Sequence, residues 1–241
     1  MRPIVLLGMI LGYGILSVPG AADVDHTLAL SVVQIQAYPK DARAFVGSGV
    51  VLDHNLVATN CHVTRHANAI VIGKGALRYR AASQRADLNH DFCILEAPGI
   101  ALPAASLGTT AGLSVGQPIY LYGYPRAIGI AFAEGRIEDL HPYDGSRIIE
   151  TSAAFVQGAS GSGIFDQAGR LVGLATFLSA GGEAGYYAIP ADWIPPLTAA
   201  PPQPIEPLSG TLFWENTSAL PAFLKRNGGR PAVPNLSPGP R

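Results

Sequence analysis

Residues 155–166 read FVQGASGSGIFD. Ser160 stands among four small residues, with apolar chain on either side. A glycine-rich run of this kind is either a plain connection or a sharp turn that holds a serine out of the backbone. A serine hydroxyl attacks only when a base removes its proton and donors stabilise the oxyanion that forms. The search for that base sorts the possible architectures. The six histidines are His26, His54, His62, His66, His90 and His141, and all precede Ser160. The order with histidine last, which goes with α/β-hydrolases, is excluded, and GASGS also fails the G-x-S-x-G pattern. The order His, Asp, Ser stays open and goes with a double β-barrel.

Composition agrees with a β protein. The chain has 241 residues, 48% hydrophobic and only 14% charged, with 28 Gly and 20 Pro. That is material for one sizeable domain with many tight turns. The runs LALSVVQIQAY, AFVGSGVVLD, AIVIG, FCILEA, PIYLYGY, RIIET and LVGLATFL read as short strands bounded by turn residues. One helical turn is expected at VTRHAN, residues 63–68. A net charge of −1 gives no electrostatic case for nucleic acid or an anionic membrane as partner.

Both ends differ from the middle. Arg2, the apolar run Ile4–Val18 and the small residues before Asp23 have the layout of a secretory signal peptide, expected over residues 1–22. The run is too short to span a bilayer, so an exported chain without stable membrane insertion is expected, periplasmic or secreted. Residues 196–241 hold ten prolines. This tail is expected to be largely disordered, apart from a short helix within TSALPAFLKRN, residues 217–227. The domain proper is expected over residues 23–195.

His62 follows an apolar strand in LVATNCHVT, which would fix its ring on rigid backbone, whereas His26, His54 and His141 read as solvated loop residues. The His62/His66 spacing suits metal ligands, but no acidic or cysteine set completes a site, and no metal or cofactor is expected. Asp91, in NHDFCILEA, stands at the mouth of a strand, where a carboxylate can be buried against an imidazole.

These residues carry a resemblance. GSGVVLDHNLVATNCHV, DFCIL, QGASGSGIFDQAGRLVGLAT and GYYAIP are similar to the histidine, aspartate, serine and closing segments of trypsin-like serine peptidases, in their bacterial HtrA-like branch. The likeness covers roughly residues 28–195. It implies an all-β fold of two six-stranded antiparallel barrels with the site in the cleft between them. It implies His62 as general base, Asp91 as its orienter and Ser160 as nucleophile, with the N–H groups of Gly158 and Ser160 as oxyanion hole. Ser162 stands where the family commonly has glycine. Ala154 falls at the base of the substrate pocket and Leu178 and Gly185 at its walls, after Thr176 on the strand that binds substrate backbone. No acid lies there, so cleavage of proteins or peptides after small or medium apolar residues is expected. The 46 residues after Pro195 are too few for the PDZ module that HtrA proteins carry, ~90 residues long. Neither PDZ regulation nor the branch's trimer is expected.

Within that frame, Cys61 and Cys93 are expected to form a disulfide. Cys61 precedes His62, and Cys93 shares a strand face with Asp91, so contact between the histidine and the aspartate draws the cysteines together. A second reading, from another class, is a secreted binding or chaperone-like protein that keeps the fold and hydrolyses little.

Overall fold

The computed structural model describes residues 24–53, 55–156, 158–179, 185–216, 220–221, 223–224 and 231–232. The signal-peptide expectation, His54 and most of the 217–227 helix expectation lie outside them.

Seven strands form the first sheet: β1 (Val32–Tyr38), β2 (Phe45–Val51), β3 (Leu56–Asn60), β4 (Ala69–Lys74), β5 (Leu77–Arg80), β6 (Ser83–Asp87) and β7 (Phe92–Glu96). They pair antiparallel in the order β5-β4-β1-β2-β3-β7-β6, a curled half-barrel. The second sheet contains β8 (Pro118–Gly123), β9 (Ala131–Tyr143), β10 (Ser146–Thr151), β11 (Gly163–Phe165), β12 (Leu171–Ser179) and β13 (Tyr186–Pro190). The β11–β12 pairing closes these six into a barrel. A two-residue strand, β14 (Pro231–Ala232), adds to the outer edge of β12. The all-β double-barrel architecture is thus present, with seven strands rather than six in its first, curled half.

Alternation along the strands explains the layering. Val33 and Ile35 of β1 face the first core with Ile70, Ile72 and Leu95, whereas Val32 faces the other way. Phe92 and Ile94 of β7 likewise face out of the first barrel, because successive side chains leave a strand on opposite faces. The second core gathers Ile119, Leu121, Ile137, Ile149, Ile164 and Val172. The outward faces meet in a third, aromatic cluster containing Phe92, Tyr122, Phe165, Phe177 and Tyr187. Each fully buried side chain of this size contributes roughly 1.5–3 kcal/mol, so the interface between barrels is as much a core as either interior.

Several expectations are corrected. The run LALSVV does not start as a strand at Leu28. Residues His26–Ser31 form a 3-10 helix, because Asp25 accepts the Thr27 N–H at 2.9 Å and the Ser31 hydroxyl bonds the Leu28 carbonyl at 2.8 Å. The helical turn expected at 63–68 begins at Cys61, as α1 (Cys61–Thr64). The long strand β9 carries no clean apolar run, since most of its alternate residues are exposed. His141 is no loop residue: it lies on β9, 6% exposed, with Nε2 2.6 Å from Glu150 and Phe223 stacked at 4.4 Å.

The tail differs most. A second helix, α2 (Ile194–Thr198), leads into chain seated on the first barrel. Gln203 and Gln84 exchange backbone hydrogen bonds of 2.9 and 2.8 Å, and the Gln84 carboxamide donates to the Pro204 and Glu206 carbonyls. This covers the open edge at β6, which would otherwise present unpaired backbone groups. Farther on, Leu212, Phe213, Trp214, Phe223 and Leu224 are all buried in the aromatic cluster. Proline removes N–H donors but not the apolar side chains between prolines, and those side chains dock.

Candidate active site

Strand β3 runs out at Asn60, and α1 turns the chain so that His62 faces the cleft between the sheets, 3% exposed. Asp91 sits at the entry to β7 in the left-handed region, at φ 56°. Among residues other than glycine, aspartate accepts that conformation more readily than most. The bend leaves its main chain and its side chain both free to bind the histidine segment. The Asp91 carbonyl accepts the Cys61 N–H at 3.1 Å, and its carboxylate accepts the His62 N–H at 2.7 Å and lies 2.6 Å from His62 Nδ1. Complete burial pushes the Asp91 carboxyl up, against the pull of the His62 charge and hydrogen bonds. An anion that spends both oxygens on one residue fixes that imidazole with Nδ1 protonated and leaves Nε2 as the basic atom. Nε2 is buried and has no hydrogen-bond partner among the described residues.

The expected disulfide is present. Cys61 and Cys93 are joined, with Cα atoms 4.9 Å apart, directly behind the His62–Asp91 pair.

Ser160 comes from the other barrel, in the turn before β11, 2% exposed. Its hydroxyl points to the Thr176 carbonyl at 3.5 Å and makes no hydrogen bond to His62 among the described residues. Two glycines shape the turn. Gly158 at φ 87° and Gly161 at φ 85° take conformations that side chains resist. A methyl on Gly161 would also run into the Ser48 carbonyl oxygen. No described residue accepts a hydrogen bond from the N–H of Gly158 or Ser160, whereas Ala159, Gly161 and Ser162 are bonded back to Val156, Ala175 and Ala159. Among the described residues, the two N–H groups expected at an oxyanion hole are therefore unspent.

Two residues that the sequence reading passed over tie the halves together. Ser48 of β2 donates its N–H to the Ser160 carbonyl at 2.7 Å, and its hydroxyl donates to the Gly158 carbonyl at 3.1 Å and accepts the Tyr124 N–H at 2.8 Å. Ser162 joins this hub at 3.3 Å, a use for the serine that replaces the second glycine. Asn60 donates to the Asp91 carbonyl at 3.3 Å and to the Thr176 hydroxyl at 3.0 Å, linking β3 to β12. Both lie beside motif residues, in GSG and ATNCH, but only the fold shows what they reach.

Of the pocket residues, Thr176 is buried, Leu178 half-buried and Gly185 buried. A Cβ on Gly185 would lie 2.8 Å from the Tyr187 hydroxyl. Ala154 is exposed, between buried Ala153 and Phe155. His66 is exposed as well and joins no ligand cluster among the described residues.

Known proteins are similar to this chain. The model of the trypsin-like peptidase domain matches residues 47–174. The magnetosome formation protease MamE of Paramagnetospirillum magneticum is 28% identical over 180 residues, 64% of this chain and 25% of that protein. A probable periplasmic serine endoprotease, DegP-like, of Pseudomonas savastanoi pv. phaseolicola is 31% identical over 158 residues, 61% of this chain and 33% of that one. The chain thus spans about a quarter to a third of the length of these curated relatives. Among solved structures, the HtrA-type protease AlgW with tripeptide superposes with a TM-score of 0.63 at 25% identity, over 68% of this chain and 57% of that one. The serine endoprotease of Yersinia pestis shares the fold at a TM-score of 0.64 and 22% identity, over 75% and 66%. With more than half of its length matched by that model, the chain belongs to the trypsin-like peptidase domain family.

Proposed function

We propose that the chain is an exported serine endopeptidase acting through an acyl-enzyme. In this reading His62 Nε2 takes the Ser160 proton as the hydroxyl attacks the scissile carbonyl. Asp91 holds the ring and stabilises the imidazolium, and the Gly158 and Ser160 N–H groups receive the oxyanion. The imidazolium then returns the proton to the leaving amine, and water hydrolyses the ester by the same steps in reverse roles. The observation that carries the reading is the Asp91 carboxylate, which places both oxygens on His62 and leaves a buried Nε2 without a partner among the described residues. The missing bond between His62 and Ser160 is ordinary for a site without substrate, where such contacts are long.

Export is supported by the Cys61–Cys93 bond and by the periplasmic designation of DegP-like relatives. No helix among the described residues is long and apolar enough to cross a membrane. Substrates are protein or peptide chains with a small or medium apolar residue before the cut, a preference supported by the absence of an acid at Ala154, Leu178 and Gly185.

A fluorophosphonate probe tests the reading. Labelling of the wild type but not of Ser160→Ala is expected. Labelling of no chain that keeps Ser160, the Trp214→Ala variant included, would overturn it and favour the binding-protein reading. Profiling with a peptide library checks specificity: dominant cleavage after Arg or Lys would exclude the apolar pocket.

A further inference from the structure

We propose that residues 208–216 and 231–232 occupy the substrate side of the candidate site in cis, with Trp214 in the seat of a substrate side chain, so that the chain inhibits itself. The proposal rests on the protease reading of that site.

Three independent contacts carry it. First, Trp214 packs edge-on against the His62 ring at 5.7 Å and tilts on Phe177 at 5.2 Å. It thus lies between the base and the residue after Thr176, on the strand assigned to substrate backbone. His62 Nε2, the atom that must meet the nucleophile, is shut off from solvent. Second, β14 pairs antiparallel with the edge of β12, Ala232 opposite Leu178 and Pro231 opposite Ser179. Backbone pairing on this edge is what an extended peptide would use, and a strand already there blocks it. Third, Arg65, three residues beyond His62, holds the strap down. Its guanidinium bonds Glu215 at 2.6 Å and the Gly210 carbonyl at 2.9 Å, and its carbonyl accepts the Leu208 N–H at 2.7 Å.

The seat is imperfect in a way that suits a displaceable occupant. Among the described residues, neither Trp214 Nε1 nor His62 Nε2 on the ring it meets has a hydrogen-bond partner, and both are buried. Buried unpaired nitrogens are unfavourable, so the closed state gives up stability where it touches the site. The Arg65–Glu215 pair lies at the outer side of the clamp, with Glu215 39% and Arg65 16% exposed.

A protein whose binding-competent state is rare shows an apparent affinity lowered by the populated fraction. Opening the strap should therefore raise reactivity and peptide affinity together. The test uses the full chain with Trp214→Ala and, separately, Glu215→Ala, which removes the ion pair to Arg65 and the acceptor of the Leu212 N–H while leaving Trp214 and the Gly210 and Leu208 contacts of Arg65 in place. Two quantities are measured. One is the rate of fluorophosphonate labelling. The other is the affinity of a fluorescein-labelled Ala-Ala-Trp-Val-Ala-Ala peptide, read by anisotropy in a Ser160→Ala background that cannot turn it over. Both variants are expected to label at least tenfold faster, and to bind the peptide at least tenfold tighter, than their parents. Labelling and binding unchanged or weakened in folded Glu215→Ala would overturn the strap and leave the protease reading standing. Tighter binding with no labelling in any chain would support the strap and remove the protease reading. Neither labelling nor tighter binding would overturn both.

Discussion

Asp91 concentrates more of the site's geometry than any other residue. Its carboxylate sets the imidazole tautomer, and its carbonyl holds the Cys61 and Asn60 donors from the same strained backbone position. Asp91→Asn replaces an oxygen acceptor with an N–H donor at one of two contacts, so the ring turns to the wrong tautomer or loses its partner. In the Ser-His-Asp mechanism that change lowers kcat by about 10⁴ with the fold kept, and the same loss is expected here, measured on a peptide substrate with circular dichroism as control. Gly161 is the complementary case, where no side chain is tolerated. Alanine there meets both a φ of 85° and the Ser48 carbonyl oxygen, at the point where the two barrels touch. Gly161→Ala is expected to cost about 2 kcal/mol or more in urea unfolding and to displace Ser160. Wild-type stability would show that the turn relaxes freely.

At the scale of elements, the disulfide and a histidine bridge hold the first barrel's site loops in place. The Cys61–Cys93 bond spans 32 residues of sequence, and closing a loop of that size stabilises by about 3–4 kcal/mol through the unfolded chain. The Cys61→Ala/Cys93→Ala double variant is expected to lose most of this in urea, with a lower midpoint and reduced cooperative stability. His90, next to Asp91, links the loop after β6 to the β9–β10 hairpin: Nδ1 lies 2.6 Å from Asp87 and Nε2 2.6 Å from Asp144. Only an imidazolium donates from both nitrogens. Burial opposes the charge on His90 and on Asp87, but their pairing, with Asp144, outweighs it and holds His90 above and Asp87 below their usual values. A histidine raised in the folded state adds stability that is complete below its unfolded pKa and fades as pH climbs through the folded one; a lowered aspartate adds stability that fades as pH falls through its folded value. The stabilising window therefore lies between those two folded values. The melting-temperature advantage of wild type over His90→Gln should be complete between the ordinary aspartate and histidine values, about 3.9 and about 6.5, and fall as the pH rises beyond the latter, and an advantage that grows with pH above neutrality would exclude the bridge.

For the whole molecule, the surprise is that the proline-rich end completes the core. Leu212, Phe213, Trp214, Phe223 and Leu224 fill the aromatic cluster between the barrels, and residues 200–206 cap the β6 edge. Roughly 1.5–3 kcal/mol for each such side chain is large beside the 5–15 kcal/mol by which a domain is stable. A chain cut after Gly210 is expected to melt at least about 10 °C lower and to bind a hydrophobic dye, because Phe177 and Tyr187 lose their cover. An unchanged melting temperature would mean that the segment only rests on the surface.

The sequence by itself determined the all-β class, the His62, Asp91, Ser160 order and the disulfide pair. Only the class is local, written in alternating apolar runs and turn glycines; the roles of His62, Asp91 and Ser160 and the pairing of Cys61 with Cys93, 32 residues apart, were legible through the likeness to trypsin-like peptidases. It did not determine that Ser48 and Asn60 cross between barrels, that His141 is buried, or that an aromatic strap lies on His62. Each of these depends on what meets a residue from a distant part of the chain. The tail shows why most clearly. Its prolines remove backbone donors and erase the periodicity by which a strand or helix is recognised, yet TLFW keeps three large apolar side chains. Whether those side chains stay in water or dock is settled by the surface offered to them, and only the packed pair of barrels supplies it.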